Sequence, residues 1–217
     1  MSEGARTPIV ISDTAYPVRV LGPGRRFVVW TQGCTLACRG CMAVHTWAPA
    51  QGRRMTVGVL LDAIADRLGQ GVDGITVTGG EPTQQPEALK DLLTRLRGLP
   101  GAGQRDVLVY TGRELDWCLR EGASLFDGAD AVMTGPYNRD LAGSLPLRGS
   151  DNQVLWLRTS LGVERFAPER LPRRDGLELH HRPGAILLVG IPGPGDLTAV
   201  HTAAMGSGMR ATARSTG

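Results

Sequence analysis

Three cysteines stand in one short stretch, Cys34-x3-Cys38-x2-Cys41, and a fourth, Cys118, stands far from them. Thiolates bind soft and borderline metals, and this spacing lets one loop wrap a compact centre. A cubane iron–sulfur cluster usually takes four thiolates. Three would leave one iron open, and an open position is what ligand-binding chemistry needs, whereas a closed one is structural. Cys118 lies between Trp117 and Leu119 in a helical pattern and reads as a small buried hydrophobe rather than a fourth ligand. Zinc is a rival, since Cys34, Cys38, Cys41 and His45 could make a three-cysteine, one-histidine site. Such a centre would make the chain a zinc-stabilised interaction module.

A second motif, Gly79-Gly80-Glu81-Pro82, follows the apolar run Gly74 to Thr78. Two glycines at a strand end permit positive φ and close approach of the backbone to a ligand. Ligands of parallel α/β folds sit at that end of the strands. The Glu81 carboxylate could pair with an ammonium group there. Other signals are weaker. His180 and His181 are neighbours on an expected strand, so they point to opposite faces and do not share a metal easily. Gly190-Ile191-Pro192-Gly193-Pro194-Gly195 is either a strand-exit loop beside the site or a turn into the tail. There is no Walker loop, no dinucleotide fingerprint after the first strand and no Gly-x-Ser-x-Gly elbow.

The elements that must position these residues alternate along the chain. Residues 1–15 are polar and expected to be loose, with a first edge strand at Val18 to Leu21 and a turn at Gly22-Pro23-Gly24. Phe27 to Trp30 is a buried strand leading into the cysteine loop. Val57, Leu60, Leu61, Ile64 and Leu68 fall at helical spacing over 57–69, and Leu89, Leu92, Leu93 and Leu96 do so over 86–97. Strands are predicted at Gly74 to Thr78, Asp106 to Tyr110, Ala129 to Met133 and Gln153 to Leu157, with a short helix at Glu114 to Arg120. This order predicts parallel βαβ units in an α/β fold, an open, partial β/α barrel too short for eight strands. Leu177 to His180 and Ala185 to Val189 flank His181-Arg182-Pro183-Gly184 as a C-terminal hairpin. An Ala-, Gly-, Ser- and Thr-rich tail follows. One domain over 16–195 with flexible termini at 1–15 and 196–217 is expected.

Composition narrows the partners. The 217 residues are 41% hydrophobic, enough for one core, and the net charge of +3 comes from scattered arginines rather than a basic run. With only 5% aromatic residues, a nucleic-acid surface is not expected. No stretch approaches the roughly 18 apolar residues of a membrane span. The start of the chain lacks a signal-peptide pattern, so a cytoplasmic location is expected.

Residues 22–47, GPGRRFVVWTQGCTLACRGCMAVHTW, resemble the start of the radical S-adenosylmethionine (SAM) activating enzymes, in particular the activases of anaerobic ribonucleotide reductase. Gly79-Gly80-Glu81-Pro82, Tyr110-Thr111-Gly112-Arg113, Gly135-Pro136-Tyr137 and the run Leu145 to Gln153 are similar to later segments of that family in the same order. The likeness covers 16–157. It implies a [4Fe–4S] cluster on Cys34, Cys38 and Cys41, with SAM chelated at the open iron and cleaved reductively to a 5′-deoxyadenosyl radical. It places the SAM amino group at Gly79, Gly80, Glu81 and Pro82, Thr111 at an adjacent strand end, and Gly40 and Met42 near the adenine. Gly40 precedes the third cysteine where many radical SAM proteins carry an aromatic residue. Met42 and Ala43 replace the aromatic residue and the Asn common in the reductase activases, while Thr46 and Trp47 fit. The implied function is a radical SAM oxidoreductase that installs a glycyl radical on a partner enzyme, supplied with electrons by a flavodoxin or ferredoxin. The alternative is a stand-alone radical SAM catalyst that modifies a peptide or small molecule. Cys34, Gly79, Glu81 and Thr111 should share one mouth, with Arg25 close to it.

Overall fold

The computed structural model describes residues 7–143, 145–172, 176–182, 185–193, 196, 198–200 and 202. The described residues hold these strands and helices in chain order: β1 Pro8–Val18, β2 Arg26–Thr31, β3 Arg53–Thr56, α1 Val57–Leu68, β4 Gly74–Gly79, α2 Pro86–Arg97, β5 Asp106–Tyr110, α3 Leu115–Arg120, β6 Ala131–Thr134, β7 Val154–Leu157, α4 Ser160–Arg165, β8 Leu177–Arg182 and β9 Ala185–Gly190. The first seven strands form one sheet in the order β3-β1-β2-β4-β5-β6-β7. Its centre, β2, β4, β5 and β6, is parallel, with Thr31 opposite Gly79 and Val77 opposite Val109.

The helical spacing in the sequence is what the fold uses. Leu60, Leu61 and Ile64 of α1 and Leu89, Leu92, Leu93 and Leu96 of α2 bury one face against Phe27, Val29, Ile75, Val77, Val107 and Val109. Burial of such side chains contributes about 1.5–3 kcal/mol each. The opposite face of the sheet is also covered. Val28, Ala15 and Val18 pack under Val189 and Leu187 of the β8–β9 hairpin. Leu108, Ala131 and Met133 pack under Leu147, Phe166 and Leu171. At the start of β2, Arg26 is fully buried and ion-pairs with Asp106 at 2.7 Å. Its guanidinium also donates to Thr76 Oγ1 and to the carbonyls of Ile75 and Pro23. Gly74 is required there, since a Cβ would stand 2.4 Å from Arg26 Nη1.

Three expectations need correction. Residues 8–15, expected to be loose, belong to β1, which lies between β2 and β3 rather than at the edge. Its Ser12-Asp13-Thr14 centre hides the strand, but β3 pairs with Pro8 to Ile11 and β2 with Ile11 to Val18, so the backbone finds partners along its length. β3 was not foreseen, because its Arg53 and Arg54 are exposed edge residues. The expected parallel order ends at β6. β7 runs antiparallel to it, since the described residues between them hold only the short turn Arg139–Leu141 and a parallel neighbour needs a crossover. The C-terminal hairpin pairs Leu177 with Gly190 and Arg182 with Ala185; its turn residues Pro183 and Gly184, like the tail from 203, lie outside the described residues. Among the described residues no helix is long and apolar enough to cross a membrane.

Candidate metal and cofactor site

The parallel strands end on one rim, and the sequence motifs meet there. β2 ends at Thr31, and the chain enters the cysteine loop through Gln32 and Gly33. Gly33 N–H donates to Thr46 O at 2.7 Å and Cys34 N–H to Trp47 O at 3.0 Å, so the loop's two arms are zipped at its base. Gly80 N–H donates to Thr31 O and Glu81 N–H to Gly33 O, both at 2.8 Å. The Gly-Gly-Glu-Pro turn is therefore bonded directly to the stem of the cysteine loop. A Cβ on Gly79 would stand 2.4 Å from Thr31 N, and one on Gly80 2.3 Å from Gly33 O. Those glycines are needed first for the protein's own backbone contact.

Cys34, Cys38 and Cys41 are partly buried and unpaired with one another. Burial is the main cause that raises the Cys34 and Cys38 thiols above their ordinary range, and the nearby Cys41 and Glu81 charges add to it. The N–H groups of Leu36 and Ala37 point at the Cys34 sulfur and that of Tyr137 at the Cys38 sulfur, which opposes the rise. Such donors are what a thiolate-ligated cluster uses to tune its sulfurs. Three thiols on one loop are the donor chemistry that iron–sulfur ligation uses. A single zinc would draw its ligands to a common point at about 2.0–2.3 Å. Among the described residues no three of His, Cys, Asp or Glu are arranged to hold one metal ion.

Glu81 is 1% exposed. Its Oε1 accepts from Thr83 N–H at 3.0 Å, Thr83 Oγ1 at 2.7 Å and Thr111 Oγ1 at 2.8 Å, and its Oε2 accepts from Gly112 N–H at 2.7 Å. A carboxylate offers about four acceptor sites, and the fold fills them. The expected partner of Glu81 is a ligand's ammonium; in the fold its carboxylate ties the end of β4 to the end of β5 through Thr111 and Gly112.

Gly40, with φ +79°, makes room for Arg139, whose Nε would meet a Cβ at 2.5 Å. Met42 is exposed on the same loop. Pro82 is buried in the turn. Cys34, Gly79, Glu81 and Thr111 thus share one mouth, but Arg25 does not. Its N–H donates to Asp73 Oδ2 at 2.8 Å, at the start of β4 on the opposite rim. Gly190 also lies away from the mouth, paired with Leu177 next to Glu178, whose carboxylate accepts from Arg19 N–H. His180 contacts Glu178 at 3.2 Å rather than sharing a metal with His181. Cys118 is fully buried in the helix–sheet core, and burial pushes its thiol up to about 11.

Sequence reasoning missed Gln32, Gln85 and Tyr137 at this site. Gln32 had a signal, an amide beside the first cysteine loop glycine in an otherwise apolar run.

A family described as 4Fe-4S single cluster domain matches residues 20–156. The anaerobic ribonucleoside-triphosphate reductase-activating protein of Enterobacteria phage T4 is 29% identical over 151 residues, which cover 68% of this chain and 94% of the relative. That of Escherichia coli K12 is 33% identical over 148 residues, covering 64% and 94%. Among solved structures, QueE from Escherichia coli aligns with 51% of this chain and 57% of its own at 20% identity and a TM-score of 0.41.

Proposed function

Since the chain belongs to the 4Fe–4S single-cluster family of radical SAM activating enzymes, with a [4Fe–4S] cluster and SAM as its cofactors, we propose that it installs a glycyl radical on a partner enzyme. The relatives are named for activating an anaerobic ribonucleoside-triphosphate reductase, and a reductase of that kind is the partner class. Cys34, Cys38 and Cys41 would hold the cluster, and the turn Gly79 to Pro82 would face the SAM amino group. Held by Cys34, Cys38 and Cys41, the cluster would supply the one-electron reduction of SAM that cleaves it to methionine and a 5′-deoxyadenosyl radical able to take a hydrogen atom from a partner glycine. The electron comes from a flavodoxin- or ferredoxin-type donor. The chain's own residues then serve position and exclusion. N–H groups of Leu36, Ala37 and Tyr137 aim at the thiol sulfurs, and Glu81 fixes the turn against Thr111 and Gly112. Gly40 and Met42 would flank the adenine, at the mouth of a sheet read as an open, partial barrel.

One observation carries this proposal: the three-thiol loop and the Gly-Gly-Glu-Pro turn are joined backbone to backbone, Glu81 N–H to Gly33 O at 2.8 Å. The test is anaerobic reconstitution. Brown protein with about four irons and four sulfides per chain is expected, together with 5′-deoxyadenosine on reduction by dithionite. A glycyl-radical signal should appear on a partner reductase. Cys34→Ala, Cys38→Ala or Cys41→Ala should abolish all three, and Cys118→Ala none. Stoichiometric zinc without sulfide after anaerobic purification would overturn the proposal.

A second reading, a stand-alone catalyst on a peptide or small molecule, draws on the segment beyond the matched 20–156. Phe166, Leu171 and the β8–β9 hairpin cover the sheet face opposite the helices. Turnover of SAM in the presence of short peptides but not of a glycyl radical enzyme would favour it.

A further inference from the structure

We infer that Gln32 and Gln85 are positioning residues that set where the cysteine loop stands relative to the Gly-Gly-Glu-Pro turn; the inference rests on the cluster proposal above. Gln32 is 2% exposed. Its Nε2 donates to His45 O at 2.9 Å and to Ala48 O at 2.8 Å. Both carbonyls belong to the returning arm of the loop, on either side of Thr46 and Trp47, which accept the N–H groups of Gly33 and Cys34. Side chain and backbone therefore close the same base. Thr46, 1% exposed, adds a bond from its Oγ1 to Ala43 O at 2.7 Å.

Gln85 links that base to the other motif. It follows the turn Pro82–Gln84 directly after Glu81. Its Nε2 donates to Gln32 O at 3.0 Å and to Val10 O at 2.8 Å, and its Oε1 accepts from Val10 N–H at 2.8 Å. Gln32 N–H donates to Val10 O at 3.0 Å. A continuous set of bonds thus runs from the turn after Glu81, through β1, to both arms of the cysteine loop. Only a side-chain amide suits Gln32. One nitrogen with two N–H groups meets two carbonyls, whereas a carboxylate brings acceptors only and an aliphatic chain brings nothing. Carbonyls left unpaired in a buried place are costly, so the loop base must open to water if the amide is lost.

Gln32→Leu removes the amide at similar size, and Gln32→Asn keeps it but withdraws it by one methylene. Gln85→Leu cuts the link to the turn. Two measurements separate the clamp from the cluster. The first is amide hydrogen exchange of the metal-free chain. In both Gln32 variants, Gly33 and Cys34 should exchange about ten- to hundredfold faster, as expected for losing two hydrogen bonds, while amides of β4 and β5 keep their protection. The second is iron release to a chelator from reconstituted protein, expected to be about tenfold faster in the Gln32 variants. In Gln85→Leu the cluster should persist, but the change in its reduced-state EPR signal on adding SAM should shrink. Unchanged exchange at Gly33 and Cys34 in the Gln32 variants overturns the clamp. Loss of β4 and β5 protection as well also overturns it, since Gln32 would then serve the whole fold. A wild-type chain that takes up no iron and sulfide removes the cluster proposal, and the exchange experiment still decides the clamp.

Discussion

Glu81 spends its charge inside the protein. Its four donors come from the two strand-end segments at 81–83 and 111–112, so removing the carboxylate strands the buried N–H of Thr83 and the partly buried N–H of Gly112. Each unsatisfied donor costs about 1–3 kcal/mol. Glu81→Ala should therefore lower the stability of the metal-free chain by about 3 kcal/mol, read as a shift in the denaturant midpoint, and weaken SAM binding as a consequence. A residue that served only as an ammonium partner would leave metal-free stability unchanged. Cys118 gives a prediction in pH. Its thiol is raised from 9.0 to about 11 by burial, with the Glu81 charge adding. The unfolded chain loses this proton first, so stability is full below about pH 9 and falls as pH rises toward 11. At about 1.4 kcal/mol per unit the loss is on the order of 2–3 kcal/mol. Cys118→Ala should flatten the stability of the metal-free chain between pH 9 and 11 relative to wild type, whatever its effect on the absolute value.

At the scale of elements, the mouth is built by close backbone approach rather than by side chains. β4 can run beside β2 and then turn onto Gly33 only because positions 79 and 80 carry no Cβ. Gly80→Ala would drive a methyl to 2.3 Å from Gly33 O. Backbone cannot swing aside as a side chain does, so a cost of about 2 kcal/mol or more is expected, with reduced iron uptake on reconstitution. Gly69 is the control. It caps α1 in helical conformation, φ −70°, with nothing within 4 Å of a Cβ. Gly69→Ala should be neutral or stabilise by up to about 1 kcal/mol and leave iron content alone.

At the scale of the whole molecule, the two rims of the sheet have different work. The C-terminal rim carries the thiols and the turn. The other is held by Arg26, whose guanidinium bonds Thr76, Ile75 O, Pro23 O and Asp106 and lies 5.7 Å from the Phe166 ring. Arg26 reaches from β2 to β5, and Phe166 comes from the segment beyond the family match. Arg26→Met would leave Asp106 charged and buried, at a cost of about 3–5 kcal/mol. Arg26→Met combined with Asp106→Leu should recover most of that, because two apolar side chains fill the space without an unpaired charge. Denaturant unfolding of the four members of this cycle checks both values. Recovery of nothing in the double variant would mean that the fold depends on the other bonds of Arg26.

The thiol loop, the Gly-Gly-Glu-Pro turn, the two amphipathic helices and the central strands are legible in the amino-acid sequence alone. Each is a local pattern: ligand spacing along a few residues, a 3.6-residue apolar period in α1 and α2, or an unbroken apolar run in β2, β4 and β5. The likeness that orders these motifs was equally legible, since motif order is a property of the chain. What depends on a partner distant in sequence is set by the fold. β1 looks polar at Ser12-Asp13-Thr14 and is a strand because β3 bonds its start, Pro8 to Ile11, and β2 bonds it from Ile11 onward. β7 turns back where the described residues before it hold only the short turn Arg139–Leu141 and no crossover helix. Arg25 and Arg26 are adjacent in sequence, yet one pairs with Asp73 half-exposed and the other is sealed against Asp106. Glu81 and Gln32 were ambiguous for the same reason. A carboxylate or an amide beside a cofactor motif can face the ligand or the protein, and the choice is made by which donors and carbonyls the fold brings within about 3 Å.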